Sequence, residues 1–163
     1  MTKNENNESY ADKAWQLARS MRTCILVTWD GRRTRARPMS GTVDQASHAV
    51  YFLTDVSAEK IAQITAHPRV TLIFSNEGGD EYATLEGDAT VSNDRAKIRE
   101  LWTPFAKAWW QSADDPAIRL LQVDPSEAEI WEGPNKLVAT AIMLTSAITG
   151  THPNLSDHAH VDL

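Results

Sequence analysis

Apolar residues at Ala11, Ala14, Trp15, Leu17, Ala18 and Met21 fall at helical spacing and predict a first amphipathic helix from Ser9. The polar stretch before it, residues 1–8, has almost nothing to bury and is expected to be disordered. The period then shortens. Residues 23–29 are β-branched and apolar and end at Asp30-Gly31, a strong hairpin signal. Residues 33–43 alternate as the return strand, and Pro38 inside them implies a bulge or an edge position. A polar turn over 44–47 leads to a strand over 49–54. A helix then opens at Ser57 and stops before Pro68. Residues 70–75 and 82–91 are two further strands around the loop 76–80, with Gly87 as a bulge.

A helical block follows. Asp94 is a plausible cap for residues 95–102, and Pro104 suits the first turn of a helix over 105–110. After a loop at 112–116, residues 118–123 and 128–131 read as two short strands split by Asp124-Pro125. Residues 136–149 form the last helix, ended by Gly150 as its C-cap, and a polar tail closes the chain. No repeat or linker divides the sequence, so residues 9–163 are expected to form a single domain with a C-terminal helix and tail. Six or seven short strands with hairpin turns and peripheral helices point to a mainly β chain and a small closed or split antiparallel barrel.

With 163 residues the chain is long enough for a substantial core. Its 16 basic and 22 acidic residues give a net charge of −6, which argues against a general nucleic-acid binder. The single cysteine, Cys24, lies in an apolar run and cannot form an internal disulfide, which fits a reducing cytoplasm. The N-terminus lacks the apolar stretch of a signal peptide, and the longest apolar run, around 137–148, is too short and threonine-rich to span a bilayer.

Four groups of residues could carry chemistry. The strand 51–54 breaks into a turn at Ser57, a good N-cap, but Lys60 then stands in the first helical turn against the dipole. Either this is an ordinary capped helix with a solvated lysine, or an anion sits over the turn. Arg33, Arg35 and Arg37 share one face of a strand, as a solvated hairpin arm or as a second patch of positive charge suited to phosphate oxygens. Trp102, Trp109 and Trp110 read equally as core or dimer packing and as a ring-stacking surface. The histidines offer less. His158 and His160 could share a strand face and hold a transition metal, but no partner at zinc-finger spacing supports it, so the segment reads as a mobile polar tail with no metal site. Asp114-Asp115 and Glu127/Glu129 are more naturally solvated than catalytic, and no catalytic residue is identified.

The order of these elements resembles the pyridoxamine 5′-phosphate oxidase-like split-barrel flavoproteins, and within them the general stress protein branch. The matching residues are Arg35-Ala36-Arg37-Pro38-Met39, Phe52-Leu53-Thr54 with Ser57 and Lys60, and His67-Pro68-Arg69-Val70. Further along come residues 101–105, Ala108-Trp109-Trp110, Asp114-Asp115-Pro116, residues 120–123 and 128–131, and Pro153-Asn154-Leu155. The resemblance runs from about Asp12 to the C-terminus. It implies a six-stranded antiparallel split β-barrel and a homodimer, with one FMN, or FAD, in each of two clefts between subunits. Arg37, Pro38 and Met39 would then line the flavin. Phe52, Leu53 and Thr54 would meet the ring edge and ribityl chain through backbone and hydroxyl. Ser57 and Lys60 would hold the phosphate, and Trp109 or Trp110 would approach the ring. Two departures argue against pyridoxamine phosphate oxidation itself. Glu59 stands where the oxidase has the first residue of an Arg-Lys pair, and the tail from His152 lacks the oxidase's terminal Trp and Arg segment.

Three functions follow from the resemblance. The first is an FMN-dependent oxidoreductase of unknown small-molecule substrate. The second is a non-catalytic flavin-binding or storage dimer. The third is a split-barrel dimer whose cleft takes haem or nothing.

Overall fold

The computed structural model describes residues 3–21, 23–76, 78, 80–134, 136–150, 152 and 157–163. Its centre is one antiparallel sheet of eight strands. These are β1 (Thr23–Trp29), β2 (Thr34–Ser40), β3 (Thr42–Asp44), β4 (Ala49–Asp55), β5 (Arg69–Asn76), β6 (Glu81–Ser92), β7 (Ile118–Glu132) and β8 (Asp157–Asp162). They run in the order β2-β1-β5-β6-β7-β4-β3, with β8 added beside the second half of β7. The first and last strands of that order are consecutive in the chain and separated only by Gly41. A single extended segment therefore leaves β1 and joins β4, which curls the sheet into a barrel. The mainly β, split-barrel expectation holds, with eight strands rather than six.

Gly41 sits where the strand changes partner. A Cβ there would lie 2.5 Å from Cε1 of Phe52, whose ring packs over the joint. The return strand expected over 33–43 is therefore two strands with different partners. Gly87 marks the other irregularity. The β6–β7 register shifts between Glu86 and Gly87, and a Cβ on Gly87 would come within 2.1 Å of the Asp124 carbonyl oxygen. This bulge accommodates Pro125, so β7 runs unbroken where two strands were expected.

The barrel is filled by Leu26, Val50, Phe52, Leu72, Phe74, Leu85, Leu121, Val123 and Ile130. Trp15, with Ala14, Leu17 and Ala18, brings helix α1 (Lys3–Ser20) onto this core. That helix begins at Lys3, so the polar segment expected to be disordered is helical from that residue on. Strand β4 is apolar on both faces because both are covered. Val50 and Phe52 face the barrel, while Ala49, Tyr51 and Leu53 face a second cluster with Ile98, Leu101, Trp102 and Trp110. Ile98 belongs to helix α3 (Arg95–Glu100), capped by the Asp94 carboxylate, which accepts from the Lys97 amide at 3.0 Å.

The rest of the helical block is shorter than expected. Pro104 opens a 3₁₀ turn over Pro104–Ala108, and Trp109 and Trp110 follow it, so Trp102 and Trp109 do not share one helix. Helix α4 spans Lys136–Thr149, as expected, with Gly150 at φ 70° after it. The terminal segment is strand rather than mobile tail from Asp157 on. Ala159 and Val161 alternate with His158 and His160, and Val161 packs into the core. The family motif at Pro153-Asn154-Leu155 lies outside the described residues.

Candidate functional site

The outer surface of β4, the β2–β3 joint and the 3₁₀ turn enclose a cleft of about 810 Å³. Its walls are built by Pro38, Met39, Gly41 and Thr42 on one side, Tyr51, Leu53 and Thr54 along the floor, and Leu101, Phe105, Trp109 and Trp110 opposite. That volume suits an organic ligand with a flat apolar part. Lys60 and Asp55 stand at one end, where β4 passes into helix α2 (Glu59–Ala66).

At that end one cation, Lys60, is partly withdrawn from water, and a second, Arg37, acts on it. Burial pushes the Lys60 ammonium below the ordinary lysine range, and the Arg37 guanidinium adds to the push, while Asp55 offsets part of it. Burial also lowers Arg37, with Glu59 acting against the shift and Arg35 with it. Lys60 Nζ donates to Thr54 Oγ1 at 2.9 Å. Arg37 Nη2 donates to Thr28 Oγ1 at 3.0 Å and to Gln63 Oε1 at 2.8 Å, and Thr28 Oγ1 donates to the same Gln63 oxygen at 2.7 Å. Nη1 of Arg37 is buried without a hydrogen-bond partner, one of two such side-chain atoms among the described residues. An unsatisfied cationic donor beside a desolvated ammonium is costly unless an acceptor or anion completes it. This donor set fits a phosphate group.

Seven of the ten residues expected from the sequence to hold a ligand meet around this cleft. Pro38, Met39, Leu53, Thr54, Lys60, Trp109 and Trp110 line it. Arg37 does not line it, but its charge acts on Lys60, which does. Phe52 does not face it, because its ring is buried in the barrel. Ser57 is not the helix cap expected of it. The N-cap is Ala58, and Ser57 gives both its amide (2.9 Å) and its hydroxyl (2.6 Å) to Asp55 Oδ1. These two bonds hold the Asp55 carboxyl below its usual range, and Trp110 Nε1 reaches the other oxygen at 3.5 Å. Of the arginine trio, Arg33 and Arg35 pair with Asp30, at 3.8 and 2.7 Å, which leaves Arg37 alone for the cleft.

Four contributors escaped the sequence reading: Thr28, Gln63, Asp55 and Tyr51. A signal existed for Gln63, which follows Lys60 by three positions and so shares its helix face. Thr28 lay hidden in an apolar strand. The His158–His160 pair faces away from this chemistry. His158 stacks on Trp131 with centroids 4.9 Å apart and approaches Glu129 at 3.4 Å, and His160 approaches Glu127 at 3.5 Å. Among the described residues no group of three or more ligating side chains could hold a metal ion, and no helix is long and apolar enough to cross a membrane.

A curled antiparallel barrel with an apolar side cleft and a half-buried lysine at one end defines a class, and the sequence profile described as "Pyridoxamine 5'-phosphate oxidase like" matches residues 9–154. The chain belongs to that family. Within it, the chain is similar to general stress protein 26 of Bacillus subtilis (strain 168), with 24% identity over 90 residues, or 53% of this chain. The chain spans 64% of that relative's length. A solved structure of a Jannaschia sp. CCS1 protein of the general stress protein 26 type superimposes with a TM-score of 0.74 at 24% identity, covering 96% of this chain and 99% of that one. The Xanthomonas citri general stress FMN/FAD binding protein gives a TM-score of 0.67 at 30% identity, over 77% and 89% of the two chains.

Proposed function

We propose that the chain binds a flavin, FMN in the first place, in the cleft between β4 and the 3₁₀ turn, as a homodimer. The observation that carries the reading is Lys60 at the end of an apolar, tryptophan-walled cleft, within reach of the charge of Arg37, one of whose nitrogens is buried and unsatisfied. The similarity to a Xanthomonas citri protein that binds FMN or FAD supports it. So does the exposure of Phe105 and Trp109, 80% each, at the cleft mouth, which a second subunit or a ring would cover.

In this reading Lys60 and Arg37 neutralise the phosphate, and Thr54 offers its hydroxyl to the ribityl end. Pro38, Met39 and Leu53 exclude water along the ring, and Trp109 or Trp110 closes the other face. Bound flavin supplies electron and hydride transfer at its ring. Ser57 is committed to Asp55, so the phosphate grip rests on the two cations. The titratable residues lining the cleft are Tyr51, Asp55 and Lys60, with no histidine or cysteine among them. Catalysis would therefore be hydride or electron transfer without a neutral-pH acid or base. This is also the observation that favours the second reading, a flavin carrier with no substrate of its own. Haem is less well served, since the cleft lining offers Met39 and Tyr51 as axial-ligand types but neither histidine nor cysteine.

The test is the visible spectrum of the purified protein, with FMN released on denaturation. A colourless protein showing no saturable binding of FMN or FAD by fluorescence titration overturns the reading. Stopped-flow reduction by NADH or NADPH separates enzyme from carrier, because a carrier turns over no faster than free FMN.

A further inference from the structure

We infer that Gln63, with Thr28, is a positioning pair that sets the preference for a phosphorylated over an unphosphorylated flavin. The inference rests on the flavin reading above and names the residues that make its anion end selective.

Both residues are buried, Gln63 to 8% exposure and Thr28 to 2%, and neither lines the cleft. A buried side-chain amide on a short helix needs a partner, and Gln63 has two in one place. Its Oε1 accepts from Thr28 Oγ1 at 2.7 Å and from Arg37 Nη2 at 2.8 Å, while Thr28 Oγ1 accepts from the same Nη2 at 3.0 Å. These three contacts form a closed triangle across β1, β2 and α2. It holds one edge of the guanidinium and leaves Nη1 without a partner.

Neutrality is the point of the arrangement. A carboxylate in place of Gln63 would fix the guanidinium as firmly, but it would cancel its charge. An amide and a hydroxyl fix the orientation and cancel none of the positive charge that acts on Lys60. An uncharged acceptor avoids the cost of burying a carboxylate and also leaves the guanidinium charge for a ligand. Glu59, which acts on Arg37 through space from the exposed face of the helix, already takes part of that charge. The neutrality of Gln63 therefore keeps the remaining charge available.

The experiment titrates FMN and riboflavin separately into flavin-free protein, for wild type and variants, with thermal unfolding as the folding control. Wild type should bind FMN roughly ten- to a hundredfold tighter than riboflavin, as one charge-assisted phosphate contact implies. Gln63→Glu should remove at least tenfold of that preference while riboflavin affinity stays within twofold. Thr28→Val, an independent route should Gln63→Glu not fold, should erode the preference by severalfold. Thr28→Ser should restore it. Equal weakening of both flavins in folded variants, or an unchanged preference, overturns the inference and leaves the flavin site standing. Wild type that binds neither flavin overturns the flavin reading instead, and the inference with it.

Discussion

Lys60 reaches back over the turn that precedes its own helix and donates to Thr54 Oγ1 at 2.9 Å, tying the end of β4 to the first turn of α2. The bond accounts for a lysine in the unfavourable half of a helix dipole. The side chain lines the cleft, where an anion would compensate both the dipole and the Arg37 charge. Lys60→Glu should weaken FMN binding by roughly ten- to a hundredfold and riboflavin binding far less, because FMN alone of the two carries the phosphate. Parallel fluorescence titrations of the two ligands check this. Equal losses would place the phosphate elsewhere.

Asp55 works against the same anion. Its carboxylate lies at the cleft end, stays ionised through the Ser57 bonds and faces Lys60. Asp55→Asn keeps an acceptor for the Ser57 amide while removing the negative charge. FMN should bind more tightly to this variant, with riboflavin unaffected, and the gain should shrink as salt is added. Titrations at low and high ionic strength measure both effects.

The hairpin between β1 and β2 has its own pH signature. The Arg33 amide and the Arg35 guanidinium hold the Asp30 carboxyl down to about 2 from an ordinary 3.8. The folded chain therefore keeps Asp30 ionised over a range in which the unfolded chain takes up a proton. Its contribution to stability is whole above the unfolded value of 3.8 and is lost as the pH falls through about 2. Asp30→Asn should lower the unfolding midpoint at neutral pH and leave it unchanged at the acid end. Arg35→Ala should raise the Asp30 titration observed by carbon-detected NMR.

Two glycines should respond differently to alanine. At Gly87 the added methyl would meet main chain, 2.1 Å from the Asp124 oxygen and 2.6 Å from Pro125 Cα, and main chain cannot rotate aside. Gly87→Ala should cost about 3 kcal/mol in denaturant unfolding. At Gly41 the obstacle is the Phe52 ring edge. Gly41→Ala should cost about 1–3 kcal/mol, and its combination with Phe52→Leu should cost less than the two single losses added together.

Much of this fold was legible because each signal was local. Strand β1 and helix α4 begin and end where periodicity and breakers place them, and Gly87 is the bulge its position suggested. The misses share a different cause, a partner distant in sequence or a local competitor. Pro125 should have split a strand, but the bulge beside Gly87, nearly forty residues away, absorbs it. Ser57 had the chemistry of a cap, but the Asp55 carboxylate two residues earlier captured its hydroxyl. The terminal His158-Ala159-His160-Val161 alternates as a half-buried strand should, and only the free edge of β7 makes a strand of it. Around the cleft Arg37 and Lys60 stood out by charge. The neutral residues that orient them, Thr28 and Gln63, look like ordinary filling until the barrel folds.

The β2–β3 joint serves two masters. Met39, Ser40, Gly41 and Thr42 are the seam at which the barrel closes, and the same four residues are a wall of the cleft. On the flavin reading, a ligand held there would bind the folded barrel alone, so loading and barrel stability would be linked. On that reading, a lesion in the barrel far from the cleft would be seen as lost flavin.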